Sequence, residues 1–184
     1  MINQRTNDLL EIFFEEKYYY VVVLTKIVMF GGNIIFIFHG DGSKKNLDSL
    51  LSEENPTGFN WCSDLLLAKK QGKVSRLSKL DSVDKYWKTK FLKNPIGALQ
   101  WGDKVKGWLI YHVDDLRNPI AKKRWLFSKY KMAMDKGCSS FDIVAERSLE
   151  GFTPDQSPWI TWKISKEEKL KRQQIYSGTY YKNK

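Results

Sequence analysis

Residues 18–38 read YYYVVVLTKIVMFGGNIIFIF and form the most apolar stretch of the chain. β-Branched and aromatic residues dominate this run, and they favour extended strands. Gly31-Gly32-Asn33 interrupts the run at a place suited to a hairpin loop, so we predict a β-hairpin. The alternative is a membrane-spanning helix, because 21 residues with a single charge, Lys26, would cross a bilayer. The interruption and the lysine favour the hairpin, and we do not expect a membrane partner.

The composition of the whole chain limits the class of protein further. Of its 184 residues, 42% are hydrophobic and 14% are aromatic, which is enough apolar surface to exclude a wholly disordered chain. The two cysteines are too few for a disulfide scaffold or for the usual cysteine-rich zinc sites. We therefore expect an intracellular, cytoplasmic globular protein with no metal and no cofactor.

Capping residues and hydrophobic periodicity predict the elements outside the hairpin. Asn118-Pro119 and Gly137 have the spacing of a helix start and stop, and Ser165 with Glu168 matches a capping box. Helices are predicted over 8–17, 63–71, 82–93 and 119–136 and from 165 onward, a second hairpin over 99–113, and strands over 141–146 and 159–164.

These elements predict the fold class and the organisation of the chain. About five helices mixed with five or six strands indicate an α+β protein with a mixed, mostly antiparallel sheet. We expect a single compact α+β domain over residues 1–164. A C-terminal surface helix and a basic tail would then occupy residues 165–184.

The positive charge is concentrated in the middle of the chain. The whole chain carries 31 basic and 21 acidic residues, a net charge of +10. Residues 61–135 contain 17 basic and 7 acidic residues and so hold a net charge of +10 by themselves. Such a concentration favours an anionic partner, and nucleic acid, either DNA or RNA, is the leading candidate. An acidic protein partner and a solvated surface without a partner are the alternatives.

A first group of candidate nucleic-acid-binding residues lies on the predicted helix over 82–93. Lys85, Lys88 and Lys93 recur there near the helical period. A row of ammonium groups along one helix could contact a phosphate backbone and give salt-dependent binding. The same pattern would also suit an ordinary amphipathic surface helix.

A second group, Lys122, Lys123 and Arg124, falls in the first turn of the predicted helix over 119–136. Unpaired backbone N–H groups and the helix dipole favour negative charge at that end of a helix. Three cations beside those amides predict an anion site. The alternative is that the cations pair with Asp114 and Asp115, a few residues upstream.

The aromatic residues add to the nucleic-acid hypothesis. The chain contains seven tryptophans and nine tyrosines, and most of them are expected to pack in the core. One or two tryptophans exposed near the lysine-rich surface could stack on bases, which is how proteins hold single strands with little sequence preference.

A local pattern points to a different class of protein. A predicted strand ends at Phe38-His39-Gly40 and is followed by Gly42-Ser43 and a short leucine-containing helix, which resembles the first motif of the His-Tyr-Glu ADP-ribosyltransferases. The resemblance implies an NAD-dependent transferase in which His39 binds the nicotinamide nucleotide and Glu146 is the catalytic carboxylate. The tyrosine of the second motif is absent, since Asn60 or Trp61 stands near its place.

The leading hypothesis is a basic nucleic-acid-binding protein that contacts phosphates through its central segment with little sequence specificity. An ADP-ribosyltransferase-like enzyme with His39 and Glu146 is the first alternative. A protein-interaction module for an acidic partner is the second.

Overall fold

The computed structural model describes residues 5–27, 29, 31–98, 104–157 and 165–177. The chain folds as two compact units. Unit 1 consists of Met1–Lys88 and Gly137–Phe152, and unit 2 consists of Thr89–Lys136 and Thr153–Lys184. Each unit contains one β-sheet.

The described residues form ten strands and five α-helices. The strands are β1 (Asp8–Phe14), β2 (Lys17–Ile27), β3 (Gly32–Phe38), β4 (Gly58–Asp64), β5 (Lys73–Lys79), β6 (Phe91–Ile96), β7 (Gly107–His112), β8 (Ala121–Lys123), β9 (Met134–Asp135) and β10 (Ser139–Ser140). The helices are α1 (Leu47–Ser52), α2 (Leu66–Gln71), α3 (Ser128–Lys131), α4 (Phe141–Leu149) and α5 (Lys166–Ser177).

The predicted hairpin over 18–38 is confirmed and forms the centre of the unit 1 sheet. Strands β2 and β3 pair antiparallel, with Ile27 opposite Gly32. The sheet order is β10-β4-β3-β2-β1-β5, so each of these two strands is hydrogen-bonded to a neighbouring strand on both sides. Their apolar residues form much of the core because central strands bury both faces. Among the described residues, the structure contains no helix long and apolar enough to cross a membrane.

The helix predicted over 8–17 is wrong. Residues 8–14 form β1, which pairs antiparallel with β2 on one side and with β5 on the other. The hairpin between β1 and β2 turns at Glu15 and Glu16, whose φ angles are 48° and 60°. Glutamate seldom adopts this left-handed conformation, and hairpin turns of this kind usually carry Asn or Gly. The sequence therefore contains no ordinary turn signal at this position.

Two helices of unit 1, α2 and α4, also differ from the predictions. Residues 141–149 form helix α4 rather than a strand. The helix predicted from Ser63 begins only at Leu66, and Ser63 lies in β4. Its N-cap is Leu65, which provides no side-chain cap, and the Asp64 carboxylate accepts a hydrogen bond from the Leu66 amide at 2.8 Å. The predicted end at Gly72 is confirmed.

Unit 2 contains a four-stranded sheet in the order β8-β7-β6-β9. The helix predicted over 82–93 is wrong, because only Asp84–Tyr86 form a short 3-10 turn and residues 91–96 form β6. The predicted strand before Val113 is confirmed as β7, but its antiparallel partners are β6 and β8. Residues 99–103, which the prediction assigned as the partner strand and turn, lie outside the described part of the chain.

The long helix predicted over 119–136 is also wrong. That segment forms β8, the short helix α3 and β9 instead. The last helix is confirmed: the Glu168 amide donates to the Ser165 hydroxyl at 3.1 Å, and Arg172 pairs with Glu168 at 2.7 Å. The strand predicted over 159–164 lies outside the described residues.

The α+β class and the mostly antiparallel pairing are confirmed. Among the strands of the described residues, only β10 with β4 and β6 with β9 pair in parallel. The described residues form five α-helices, the number predicted, but ten strands where five or six were expected. The proposed division of the chain at residue 164 stays a prediction.

Candidate nucleic-acid interface

The cluster Lys122, Lys123 and Arg124 lies on and just after β8, an edge strand of the unit 2 sheet. Lys122 pairs with Leu109 and Lys123 with Trp108 on β7. Lys122 and Arg124 are exposed, and Lys123 is half-buried. The expected helix N-terminus is not present at this place, so neither the helix dipole nor free helical amides contribute to anion binding here. Lys122 and Arg124 are exposed on strand β8 and in the bend after it instead.

The cluster belongs to a longer basic segment, residues 120–131, which we call the basic edge segment. It contains five basic residues and no acidic one: Lys122, Lys123, Arg124, Lys129 and Lys131. Of these, Lys122, Arg124, Lys129 and Lys131 are exposed. Among the described residues, none of these five cations forms an ion pair with a carboxylate. A run of like charges without acidic partners produces a positive potential in the surrounding water, which favours phosphate binding.

Large apolar side chains are exposed within the same segment. The relative exposures are 53% for Ile120, 52% for Trp125 and 61% for Phe127. The guanidinium of Arg124 lies 5.7 Å from the centre of the Trp125 ring. Aromatic rings beside cations can stack on bases while the cations contact phosphates. The basic edge segment therefore combines the two kinds of contact that nucleic acid offers.

The aspartates that could neutralise the cluster are engaged in their own turn. The Asp114 carboxylate lies 3.1 Å from the ring of His112. The Asp115 carboxylate accepts hydrogen bonds from the amides of Arg117 and Asn118 and from the Asn118 side chain. The hydrogen bond from the Asn118 side chain is the largest cause of the lowered pKa of Asp115. In the part of the chain that the structure describes, neither aspartate forms an ion pair with the cluster.

Lys85 and Lys88 belong to unit 1 and are tied to backbone and amide oxygens. The Lys85 ammonium donates to the carbonyls of Leu51 and Glu53 at 2.7 and 2.9 Å. The Lys88 ammonium donates to the Asn55 side chain at 3.0 Å, and burial lowers the pKa of Lys88. Part of their hydrogen-bonding capacity is used within the protein, so they are weaker phosphate ligands than the exposed cations of unit 2.

The placement of Lys93 on an exposed helix face is wrong. Lys93 lies in β6 and is fully buried. Its ammonium donates to the carbonyls of Ala133 and Pro154 at 2.6 and 2.7 Å and lies 3.4 Å from the Asp135 carboxylate. Burial lowers the pKa of Lys93, and Asp135 opposes that shift. A buried ammonium with these partners cannot contact a phosphate, because a solvated ligand does not reach it.

His39 and Glu146, the candidate catalytic residues, both belong to unit 1. His39 lines a small pocket together with Tyr19 and Ser148, and its Nε2 donates to the Phe152 carbonyl at 3.0 Å. Burial lowers the pKa of His39. Glu146 is buried on α4, two residues before Ser148. Burial, reinforced by charges that include the Glu146 carboxylate, raises the pKa of Tyr19.

Comparison with protein-family models, with curated proteins and with solved structures found no match for this chain. Among the described residues, no three His, Cys, Asp or Glu side chains cluster closely enough to hold a metal ion.

Sequence reasoning missed part of the candidate interface. Phe127, Lys129 and Lys131 were assigned to the interior of a long helix, where a mixed pattern of apolar and basic residues is ordinary. The signal that could have identified them is the absence of any acidic residue over 120–131. A surface helix of that length usually alternates both charges.

Proposed function

We propose that this protein binds nucleic acid, DNA or RNA, through the basic edge segment, with little sequence specificity. The observation that carries the proposal is the set of exposed cations on and beside an edge strand, in a segment with no acidic residue. Lysine and arginine contacts to phosphates set affinity and orientation but carry no base information. An intracellular, cytoplasmic location is part of the same proposal.

The positions of the exposed cations support phosphate contacts. Lys122 lies on β8, Arg124 lies in the bend that directly follows this strand, and both side chains are exposed. Lys129 and Lys131 on α3 are exposed in the same segment. Each phosphate neutralised by such a cation releases counterions, so the affinity is expected to fall steeply with salt.

The triple variant Lys122→Ala/Lys123→Ala/Arg124→Ala is expected to bind a short mixed-sequence oligonucleotide more weakly. Because up to three phosphate contacts are lost, the slope of log affinity against log salt should become shallower by about 2 to 3. The measurement is fluorescence anisotropy of a labelled oligonucleotide between about 50 and 200 mM salt.

The matched control is Lys69→Ala/Lys70→Ala/Lys73→Ala, which removes three exposed cations from unit 1 and changes the net charge equally. This control should keep most of the salt slope. An affinity that is undetectable at low salt, or that does not change with salt, would contradict the proposal. Equal losses in the two triple variants would show that net charge alone, rather than the basic edge segment, determines binding.

Trp125→Ala is expected to weaken binding to a single strand by about 5- to 150-fold, because base–aromatic stacking contributes about 1–3 kcal/mol per base. A duplex of the same sequence should lose much less, since its bases are already stacked on each other. Trp125→Phe retains a ring and should recover most of the affinity. Equal losses for single strand and duplex, in parallel anisotropy titrations, would exclude a stacking role for Trp125.

The transferase-like enzyme is the second candidate. One observation favours it: His39 shares its pocket with residues of α4, the helix that carries Glu146. The assay for it is NAD turnover that disappears in Glu146→Gln. The acidic-partner alternative would instead give salt-sensitive binding to an acidic polypeptide that nucleic acid does not displace.

A further inference from the structure

The two cysteines of the chain, Cys62 and Cys138, lie next to each other in unit 1. Ser63 in β4 and Ser139 in β10 are paired in a parallel ladder, and each cysteine directly precedes one of these serines. The register therefore brings the two cysteines side by side although 75 residues separate them in the sequence. The two thiols are close enough for each to shift the pKa of the other, and neither cysteine is in a disulfide.

Gly32 shows where the sulfur of Cys138 lies. A Cβ atom built on Gly32 would be 2.2 Å from the Cys138 Sγ, so the sulfur occupies the space above this glycine. Gly32 and Ile34 share a face of β3, and Ile34 is the register partner of Cys62. The Cys138 sulfur is thus directed over the same face of the sheet on which Cys62 lies.

The two thiols differ in exposure and in acidity. Cys62 is fully buried, whereas Cys138 is half-buried. Interaction with the Cys62 thiol and with the Ser139 amide lowers the pKa of Cys138, although burial opposes this shift. The same pairing and burial raise the pKa of Cys62. A more acidic, partly exposed cysteine beside a second thiol is the arrangement found in redox-sensitive pairs.

From this arrangement we propose that Cys138 and Cys62 form a reversible disulfide when the protein meets hydrogen peroxide. The Cys138 thiolate attacks one peroxide oxygen and takes up a hydroxyl group, the O–O bond breaks, and the leaving hydroxide gains a proton to become water. The resulting Cys138 sulfenic acid is attacked by the Cys62 sulfur. The S–S bond forms, the S–O bond breaks, and the hydroxyl leaves with the Cys62 proton as a second water. Two electrons pass from the two thiols to the peroxide.

The test uses the full chain, whose two cysteines are first reduced. The protein is then treated with one equivalent of hydrogen peroxide. We expect both thiols to disappear together, with a loss of two hydrogen atoms in the intact mass and recovery of both thiols with dithiothreitol. The thiol count is unambiguous because the chain has only these two cysteines. Peptide mapping should place the disulfide within one chain. Disulfides only between chains, or independent oxidation of the two cysteines, would overturn the proposal.

Single variants separate the two roles. Cys62→Ser should stop at the Cys138 sulfenic acid, which a 1,3-diketone reagent traps, and Cys138→Ser should consume peroxide at least tenfold more slowly. Equal reactivity of the two variants would contradict the assigned order of attack. If Cys62→Ser does not fold, Cys62→Ala, which adds no polar group to the core, takes its place, and the wild-type mapping remains decisive. None of these outcomes depends on nucleic-acid binding.

Discussion

Lys93→Met is expected to lower the free energy of unfolding by about 3–5 kcal/mol, the usual cost of removing one partner from a buried ion pair. The ammonium is fully buried and lies 3.4 Å from the Asp135 carboxylate. Without it, Asp135 keeps its hydrogen bonds from Ser157 and Tyr176, at 2.8 and 2.6 Å, but loses its compensating charge. The carbonyls of Ala133 and Pro154 lose a hydrogen-bond donor as well.

Chemical denaturation followed by far-UV circular dichroism measures this effect. The double variant Lys93→Met/Asp135→Asn removes both charges and should recover part of the loss, because the unpaired carboxylate is then gone. Lys106→Met, at an exposed position of the same unit, should change stability by less than about 0.5 kcal/mol. A Lys93→Met protein as stable as the wild type would show that the ammonium is not held in the core.

Trp61→Ala is expected to destabilise unit 1 by about 3–5 kcal/mol, the range observed when a buried tryptophan or phenylalanine is truncated. Trp61 is only 1% exposed. Its ring lies 4.6 Å from the Arg147 guanidinium and 6.0 Å from the centre of the Phe152 ring. Its indole N–H also donates to the Ser139 hydroxyl at 3.1 Å. The truncation removes these contacts and leaves a cavity under α4.

Trp125→Ala is the matched control, because the same substitution is made at a residue that is 52% exposed. It should lower the free energy of unfolding by less than Trp61→Ala does, since about half of the Trp125 surface is already in water in the folded protein. The loss of stability in Trp61→Phe should lie between those of Trp125→Ala and Trp61→Ala, because phenylalanine keeps an aromatic ring but cannot donate to Ser139. Equal effects of Trp61→Ala and Trp125→Ala in denaturant titrations would contradict the burial of Trp61.

Sequence signals that act between neighbouring residues predicted the structure of this chain correctly where no distant partner opposed them. The hairpin over 18–38 was predictable because a run of β-branched and aromatic residues favours strands regardless of what surrounds it. The helix start at Ser165 was predictable for a similar reason, since the hydrogen bond from the Glu168 amide to the Ser165 hydroxyl joins residues close in sequence. Both signals are local, and the hairpin and this half of the predicted capping box are confirmed.

The failed predictions are those in which a local signal competed with distant partners. Asn118, Pro119 and Gly137 suited a long helix, but capping contributes only about 1 kcal/mol. Residues 121–123 instead pair with β7, which satisfies backbone groups of that strand. At residues 8–14 the apolar positions suited a helix and a strand equally well, and pairing with β2 and β5 decided between them.

The sequence alone determined the sign and amount of charge and its concentration in residues 61–135, because charge is a sum over residues and does not depend on their arrangement. Only the tertiary structure decided which cations face water. Lys93 is buried beside Asp135, 42 residues later in the sequence, whereas Lys122 on the edge strand β8 and Arg124 directly after it face water. Burial and pairing depend on groups far apart in the chain, which no local pattern reports.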